Sequence, residues 1–425
     1  MATNSRRAVL TGFGVLSPIG STPTAFWQAL LAGTPGIRTI RSFDASSLPC
    51  SVGGEIPDFN AKSAIAKHYR KSLNAMARPV QLGVVASQLA MQDAGLEPGT
   101  VTRERLGVEF ACVMGATELD DLARASKMSS RGARQPVDMA TWGREGLDEI
   151  PPMWMLKYLP NMPACHFTIL FDAQGPSNTQ IPNDAAGAVV FGEALRIVQR
   201  GAADVMLVGG SESKMHPLSM SRFNAFAPLT KKSSTPETAI RPFDRDRDGT
   251  ALGEAGAAFT LENLDHARKR GAKILAEVVG FASGVDRGLT GTTLTRIIRN
   301  ALANAGIQPS DVDHVNAHGL GIPDLDAFEA RGISGVFGRD VPVFAPLSRF
   351  GNAGAAAGVV ELGCSVLALK HGRLPATLNH DHPDPACPVA VHTGAPRSVT
   401  RPYALKIAYT DLGQCAVLVI KRWED

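Results

Sequence analysis

Little in this 425-residue sequence is present in excess, and the shortages narrow its chemistry. Six cysteines (Cys50, Cys112, Cys165, Cys364, Cys387 and Cys415) are scattered without a CxxC pair or any short spacing. That argues against a zinc site and a disulfide scaffold, and for a reducing compartment. Charge of one sign is also lacking: 43 Lys+Arg face 40 Asp+Glu, a net +3 spread along the chain, so no dedicated nucleic-acid or membrane surface is expected. No apolar run is long enough for a signal peptide or a membrane span, and polar residues 1–7 lead straight into an apolar strand, so the expected location is cytoplasmic. Low-complexity tracts are absent, and none of the glycine-rich segments fits a Walker or Rossmann phosphate loop. What is there is 44% hydrophobic content, enough for two ordinary domains or one large α/β unit.

Apolar, β-branched runs at residues 8–11, 108–114, 205–208, 274–279, 314–317 and 417–420 alternate with helical-period segments at 82–94, 188–200 and 294–303. The alternation predicts α/β layers. The first run leaves through Gly12-Phe13-Gly14 toward a helix start at Ser21-Thr22-Pro23; Val278-Val279-Gly280-Phe281 and a helix from about Thr293 repeat that pattern loosely. The chain therefore reads as two similar halves. Their boundary is expected in the polar loop 230–248, which divides 1–248 from 249–425. Residues 126–152 have little period and read as an inserted loop or cap.

Taken in order, the motifs resemble the elongating β-ketoacyl-ACP synthases of fatty-acid and polyketide assembly. They are Arg7-Ala8-Val9-Leu10-Thr11-Gly12-Phe13-Gly14 with Ser17-Pro18-Ile19-Gly20, Met91-Gln92-Asp93-Ala94-Gly95-Leu96, Gly175-Pro176-Ser177, Arg241-Pro242-Phe243-Asp244, Val315-Asn316-Ala317-His318-Gly319 and Leu374-Pro375-Ala376-Thr377-Leu378-Asn379. The resemblance runs from Arg6 to Lys421. It implies a thiolase-like, five-layered αβαβα fold built from two βαβαβαββ halves, with the site between them and dimerisation through the first half. It implies no cofactor and no metal.

Such enzymes need a cysteine thiolate at a helix N-terminus to carry the acyl chain, two histidines to stabilise an enolate, a supporting lysine and a glycine-rich gating loop. Counted from Gly175-Pro176-Ser177, the cysteine position carries Asp184. The first histidine is retained as His318, the second position carries Asn352, and the lysine position carries Leu347. The gating loop aligns with residues 407–415, in which Tyr409, Asp411 and Gly413 are the candidate substrate-binding residues and one glycine of three remains. The loop 284–291 is short for one that helps to hold a pantetheine arm. An acyl-aspartate would be a mixed anhydride, more activated than a thioester and open to water, and a carboxylate would repel malonate. Loss of one oxyanion donor typically costs roughly 2.7–4 kcal/mol of transition-state stabilisation.

Two readings of Asp184 stand side by side. It caps a buried helix through that helix's N–H groups, or it forms an acid–base couple with His318, with Asn352 able to hydrogen-bond that histidine. Cys165 and Cys364 read as small packing residues, and His380, Asp381, His382 and Asp384 as a solvated loop. The expected protein is a degenerate ketosynthase that does not condense acyl chains alone, resembling the chain-length-factor subunits that pair with an active ketosynthase. The alternatives are a homodimer that acts on acyl thioesters non-covalently through Asp184 and His318, and an acyl-chain-binding scaffold. Acyl carrier protein is a further expected partner.

Overall fold

The computed structural model describes residues 6–130, 132 and 135–424. Ten strands and six helices form its repeat. The first half holds β1 (Ala8–Leu16), α1 (Arg78–Asp93), β2 (Leu106–Cys112), α2 (Met162–Phe171), β3 (Ser177–Gln180), α3 (Ala186–Gln199), β4 (Val205–Ser213) and β5 (Leu252–Asn263). The second holds β6 (Ala276–Val285), α4 (Thr292–Ala305), β7 (Val312–Asn316), α5 (Pro323–Phe337), β8 (Pro342–Phe344), α6 (Ala357–His371), β9 (Tyr403–Tyr409) and β10 (Gln414–Arg422).

Strand order proves the repeat. Hydrogen bonding runs β3-β2-β4-β5-β1 in one half and β8-β7-β9-β10-β6 in the other: the third, second, fourth, fifth and first strand each time. Directions match as well, since β2 is parallel to β3 and β4, β7 is parallel to β8 and β9, and the remaining pairs are antiparallel. Ala8–Leu10 of β1 also pair with Ala276–Val278 of β6, which joins the two sheets edge to edge.

Sheet pairing corrects the expected boundary. β5 begins after residue 248 yet bonds β1 and β4, so the division at 248/249 falls one strand early and the halves meet between β5 and β6. The polar loop signals of 230–248 precede the last strand of the first half rather than ending it. The irregular reading of 126–152, of which residues 131, 133 and 134 lie outside the described ones, is corrected in part, because the helix Leu119–Met128 ends inside it and short helical turns occupy Met139–Arg144 and Gly146–Glu149. The two turns are too short for a periodic signal.

α3 and α6 form the middle layer. α6 is buried at every position from Ala357 to Leu369, and an all-round apolar helix is one with no solvent face. The two helices meet at glycines: a Cβ on Gly187 would lie 2.9 Å from the Cα of Gly358. Their close approach therefore requires residues without side chains. Each follows a 3-10 turn, Asn183–Ala185 before α3 and Gly354–Ala356 before α6, so the repeat sets two helix N-termini side by side. α1 and α2 cover the first sheet and α4 and α5 the second, which completes the five layers. Among the described residues no helix is long and apolar enough to cross a membrane.

Candidate functional site

Asp184 sits in the 3-10 turn before α3, with its side chain 16% exposed. It does not cap that helix. The N-cap position is Ala185, and no side-chain capping bond is made there. Instead Nδ2 of Asn352 donates to Oδ2 of Asp184 over 3.4 Å, and the Lys214 ammonium lies 4.0 Å from Oδ1. The preceding Asn183 has φ +40°, a left-handed conformation that asparagine tolerates better than most residues, and it turns the chain into the helix.

Asn352 is fixed from both ends. Its backbone N donates to Ala251 O at 2.8 Å, its carbonyl accepts from Gly253 N at 2.9 Å, and its Oδ1 accepts from Gly354 N at 2.7 Å. The amide NH₂ is thereby aimed at Asp184. Lys214, buried just beyond β4, also approaches Glu212 Oε1 at 3.8 Å and rests over the Phe223 ring. Glu212 accepts from Ala355 N at 2.7 Å; burial raises its pKa, with Asp184 adding and Lys214 opposing.

His318 is fully buried after β7. Its Nδ1 lies 3.1 and 3.3 Å from the two Glu361 oxygens, and Lys406 Nζ is 2.5 Å from Glu361 Oε2. Burial alone would lower the imidazole pKa, but the charge and hydrogen bond of Glu361, with a contribution from Asp184, hold it above the ordinary value against Lys406. Glu329 accepts from the backbone N–H groups of His318 and Gly319 at 2.7 and 2.9 Å, and the Tyr409 ring stands edge-on to the imidazole with centroids 5.3 Å apart.

The expected Asp184–His318 couple is an electrostatic one. No hydrogen bond joins the two side chains among the described residues, and Asn352 bonds the aspartate rather than the histidine. Asp184 Oδ1 and His318 Nε2 are both buried atoms without a hydrogen-bond partner. Leu347 lies in the apolar core of the second half and brings no charge.

Of the gating-loop residues, only Tyr409 reaches the site. β9 and β10 continue as a hairpin in which Tyr409 pairs with Cys415, and Asp411 lies at the exposed tip. Gly413 has φ +81°, and a Cβ there would come 2.1 Å from Asp286 O, so the tip packs on the loop 284–291. Asp286 holds that loop by accepting from Thr293 N and Leu294 N at the start of α4.

Five of the six cysteines are buried. Burial pushes the thiols of Cys112, Cys387 and Cys415 up to about 12 and raises those of Cys50 and Cys364. Asp244, Asp246 and His382 come close enough to hold a metal ion, but Asp244 already accepts from Arg241 and from three backbone N–H groups. Lys214, Glu361 and Lys406 were not legible as site residues. Glu361 and Lys406 are lone charged residues in apolar segments, while Lys214 follows a glycine-rich turn with Glu212 two positions before it, and that sparseness of charge was the only signal.

The chain matches the family model described as beta-ketoacyl synthase, N-terminal domain over residues 5–267 and that of the C-terminal domain over residues 275–381. It is 33% identical over 99% of both chains to a 3-oxoacyl-[acyl-carrier-protein] synthase 2 of Synechocystis sp., and 34% identical over 90% of both chains to the Coxiella burnetii protein of that name. Among solved structures, a beta-ketoacyl synthase from Burkholderia phymatum superposes with TM-score 0.88 at 26% identity, over 99% of this chain and 100% of that one. The ishigamide ketosynthase/chain length factor superposes with TM-score 0.87 at 28% identity, with the same coverage.

Proposed function

The chain belongs to the β-ketoacyl synthase family, and within it we propose that it is a non-condensing subunit of the chain-length-factor type, the partner of a ketosynthase that carries its own nucleophile. One observation carries this reading. At the N-terminus of α3, where the family resemblance puts the acyl-accepting thiol, there is a carboxylate seated between Asn352 and Lys214. A carboxylate held by an amide and an ammonium has no route to a stable acyl intermediate, and the buried thiols elsewhere stay protonated at neutral pH.

The outer edge of the first half supports a partner. β3 ends its sheet with one side unpaired, and beside it lie Ile169 (66% exposed) and Ile181 (54% exposed). A cleft lined by Ala164, Cys165, Ser177 and Thr179 runs along the same edge. An unpaired strand flanked by bare apolar side chains is a site for strand addition across an interface. The likeness to the ishigamide ketosynthase/chain length factor agrees with a ketosynthase as the partner.

Co-expression with a ketosynthase that has an intact cysteine tests the reading. A heterodimer that makes products of altered length supports it. A homodimer that gains an acyl mass adduct from acyl-CoA or acyl-ACP overturns it.

A second reading draws on the two unpartnered atoms, Asp184 Oδ1 and His318 Nε2. They suit a homodimer that hydrolyses or transfers an acyl group without a covalent intermediate, with Asp184 as base and His318, in its doubly protonated form, as donor from Nε2. Turnover of an acyl thioester that is lost in Asp184→Asn would favour it over the partner role.

A further inference from the structure

The buried charge at Lys406 needs an account. β9 alternates, so Leu405, Ile407 and Tyr409 face the core of the second half while Ala404, Lys406 and Ala408 face the other way, into the core that contains α6. The two alanines leave room for the lysine stem. The side chain is 1% exposed, and burial of an ammonium is strongly unfavourable unless it is paired. Its pair is Glu361 on α6, whose carboxylate is fully buried, and its remaining contacts are the backbone carbonyls of Asn316 and Ile407. Among the described residues the Glu361 carboxylate has one other partner, Nδ1 of His318.

The chemistry of that chain is directional. An ammonium has only protons to give, so the carboxylate between it and the ring acts as acceptor on both sides. The proton of the His318–Glu361 bond therefore sits on Nδ1, and Nε2 is left as the nitrogen without a protein partner. A histidine's reactive nitrogen is set in this way by the bond that the other nitrogen makes.

We propose that Lys406 is the positioning residue of this site. It reaches from β9 to hold Glu361 as the acceptor that fixes the tautomer and orientation of His318, and so supplies from a strand what a lysine at position 347 was expected to supply. The inference concerns the residues behind His318 and stands whether the chain works as a partner subunit or as a homodimer.

The groups facing His318 are Glu361 from α6, Lys406 and the Tyr409 ring from β9, Glu329 from α5, and Asp184 from the turn before α3. With Lys406→Met the opposing positive charge is lost, and the imidazolium gains stability. With Glu361→Gln the attracting negative charge is lost, and the imidazolium loses stability. The two variants must therefore move the His318 titration in opposite directions, which a role in packing alone would not do.

The test is a titration of full-length protein labelled with ¹⁵N-histidine, followed by two-bond ¹H–¹⁵N correlation spectra, with the His318 signals assigned by their loss in His318→Asn. The expected result is Nδ1–H in the neutral wild-type ring. The midpoint should rise by about one pH unit, tenfold in proton affinity, in Lys406→Met, fall in Glu361→Gln, and stay near wild type in Lys406→Arg. A midpoint that is unchanged or lower in Lys406→Met overturns the proposal, as does a neutral wild-type ring protonated on Nε2. If Lys406→Met does not fold, Lys406→Gln, which keeps a donor for the two backbone carbonyls, decides by the same criterion.

Discussion

Asn352 donates to Asp184 across 3.4 Å, a contact between two residues 168 positions apart that joins the turn before α3 to the turn before α6. Each half of the repeat contributes one member. The aspartate is oriented by the second half and neutralised by Lys214 from the first.

That contact involves a carboxylate where a thiol is expected, and five of the six thiols are buried. Cys165 is the one cysteine of six that is not buried. Under native conditions iodoacetamide should label Cys165 alone, as read by peptide mass spectrometry. Because Cys165 lines the cleft beside β3, assembly with a partner should slow its labelling several-fold. Rapid native labelling of Cys112 or Cys415 would contradict the buried, protonated thiols described above.

Ile169 and Ile181 face solvent beside the free edge of β3. Replacing both with aspartate should leave the stability of the isolated chain within about 0.5 kcal/mol per site, as for ordinary surface changes. The same variant should sediment as a monomer under conditions in which the wild type assembles. Unaltered assembly would move the interface elsewhere.

The crossing of α3 and α6 has no space for a side chain. Valine at Gly187 would meet the Gly358 backbone, and strain from overpacking should exceed any gain in helix propensity, which is about 1 kcal/mol at most. Gly187→Val should lose about 3 kcal/mol in urea unfolding. Since the same crossing carries the turn of Asp184, the variant should also disturb the site.

Asp313 controls part of the acid limb of stability. Burial would raise its pKa, but hydrogen bonds and charge from His314, Thr400 N and Arg397 hold the carboxyl below its ordinary value. A depressed folded-state value means that its contribution is present above the unfolded value of about 3.9 and is lost as pH falls below it. Asp313→Asn should cost about 3 kcal/mol at neutral pH, by leaving Arg397 without its counter-charge, and should flatten the decline of melting temperature below about pH 4. An unchanged acid slope would assign that limb to other carboxylates.

Much of the architecture is written along the chain. The α/β layering and the loose half-repeat follow from apolar runs and helical periods, signals that local sequence carries, whereas the βαβαβαββ order comes from the family resemblance; the helix Pro23–Ala32 starts as expected with Ala25 N donating to Thr22 Oγ1. The boundary was misplaced because loop composition marks where a chain turns and not which sheet the next strand joins. For β5, that choice was made by hydrogen bonds to β1 and β4.

The sequence by itself determined that position 184 is an aspartate, that His318 is present, and that positions 347 and 352 carry no lysine and no histidine. Those are chemical identities, and no folding changes them. Tertiary structure alone decided their company: Asp184 with Asn352 and Lys214 instead of helix N–H groups, and His318 with Glu361 and Lys406. The reason is physical. A buried charge is tolerable only beside its partner, and the packing of β9 against α6 brings Lys406 to Glu361 from 45 residues further along the chain.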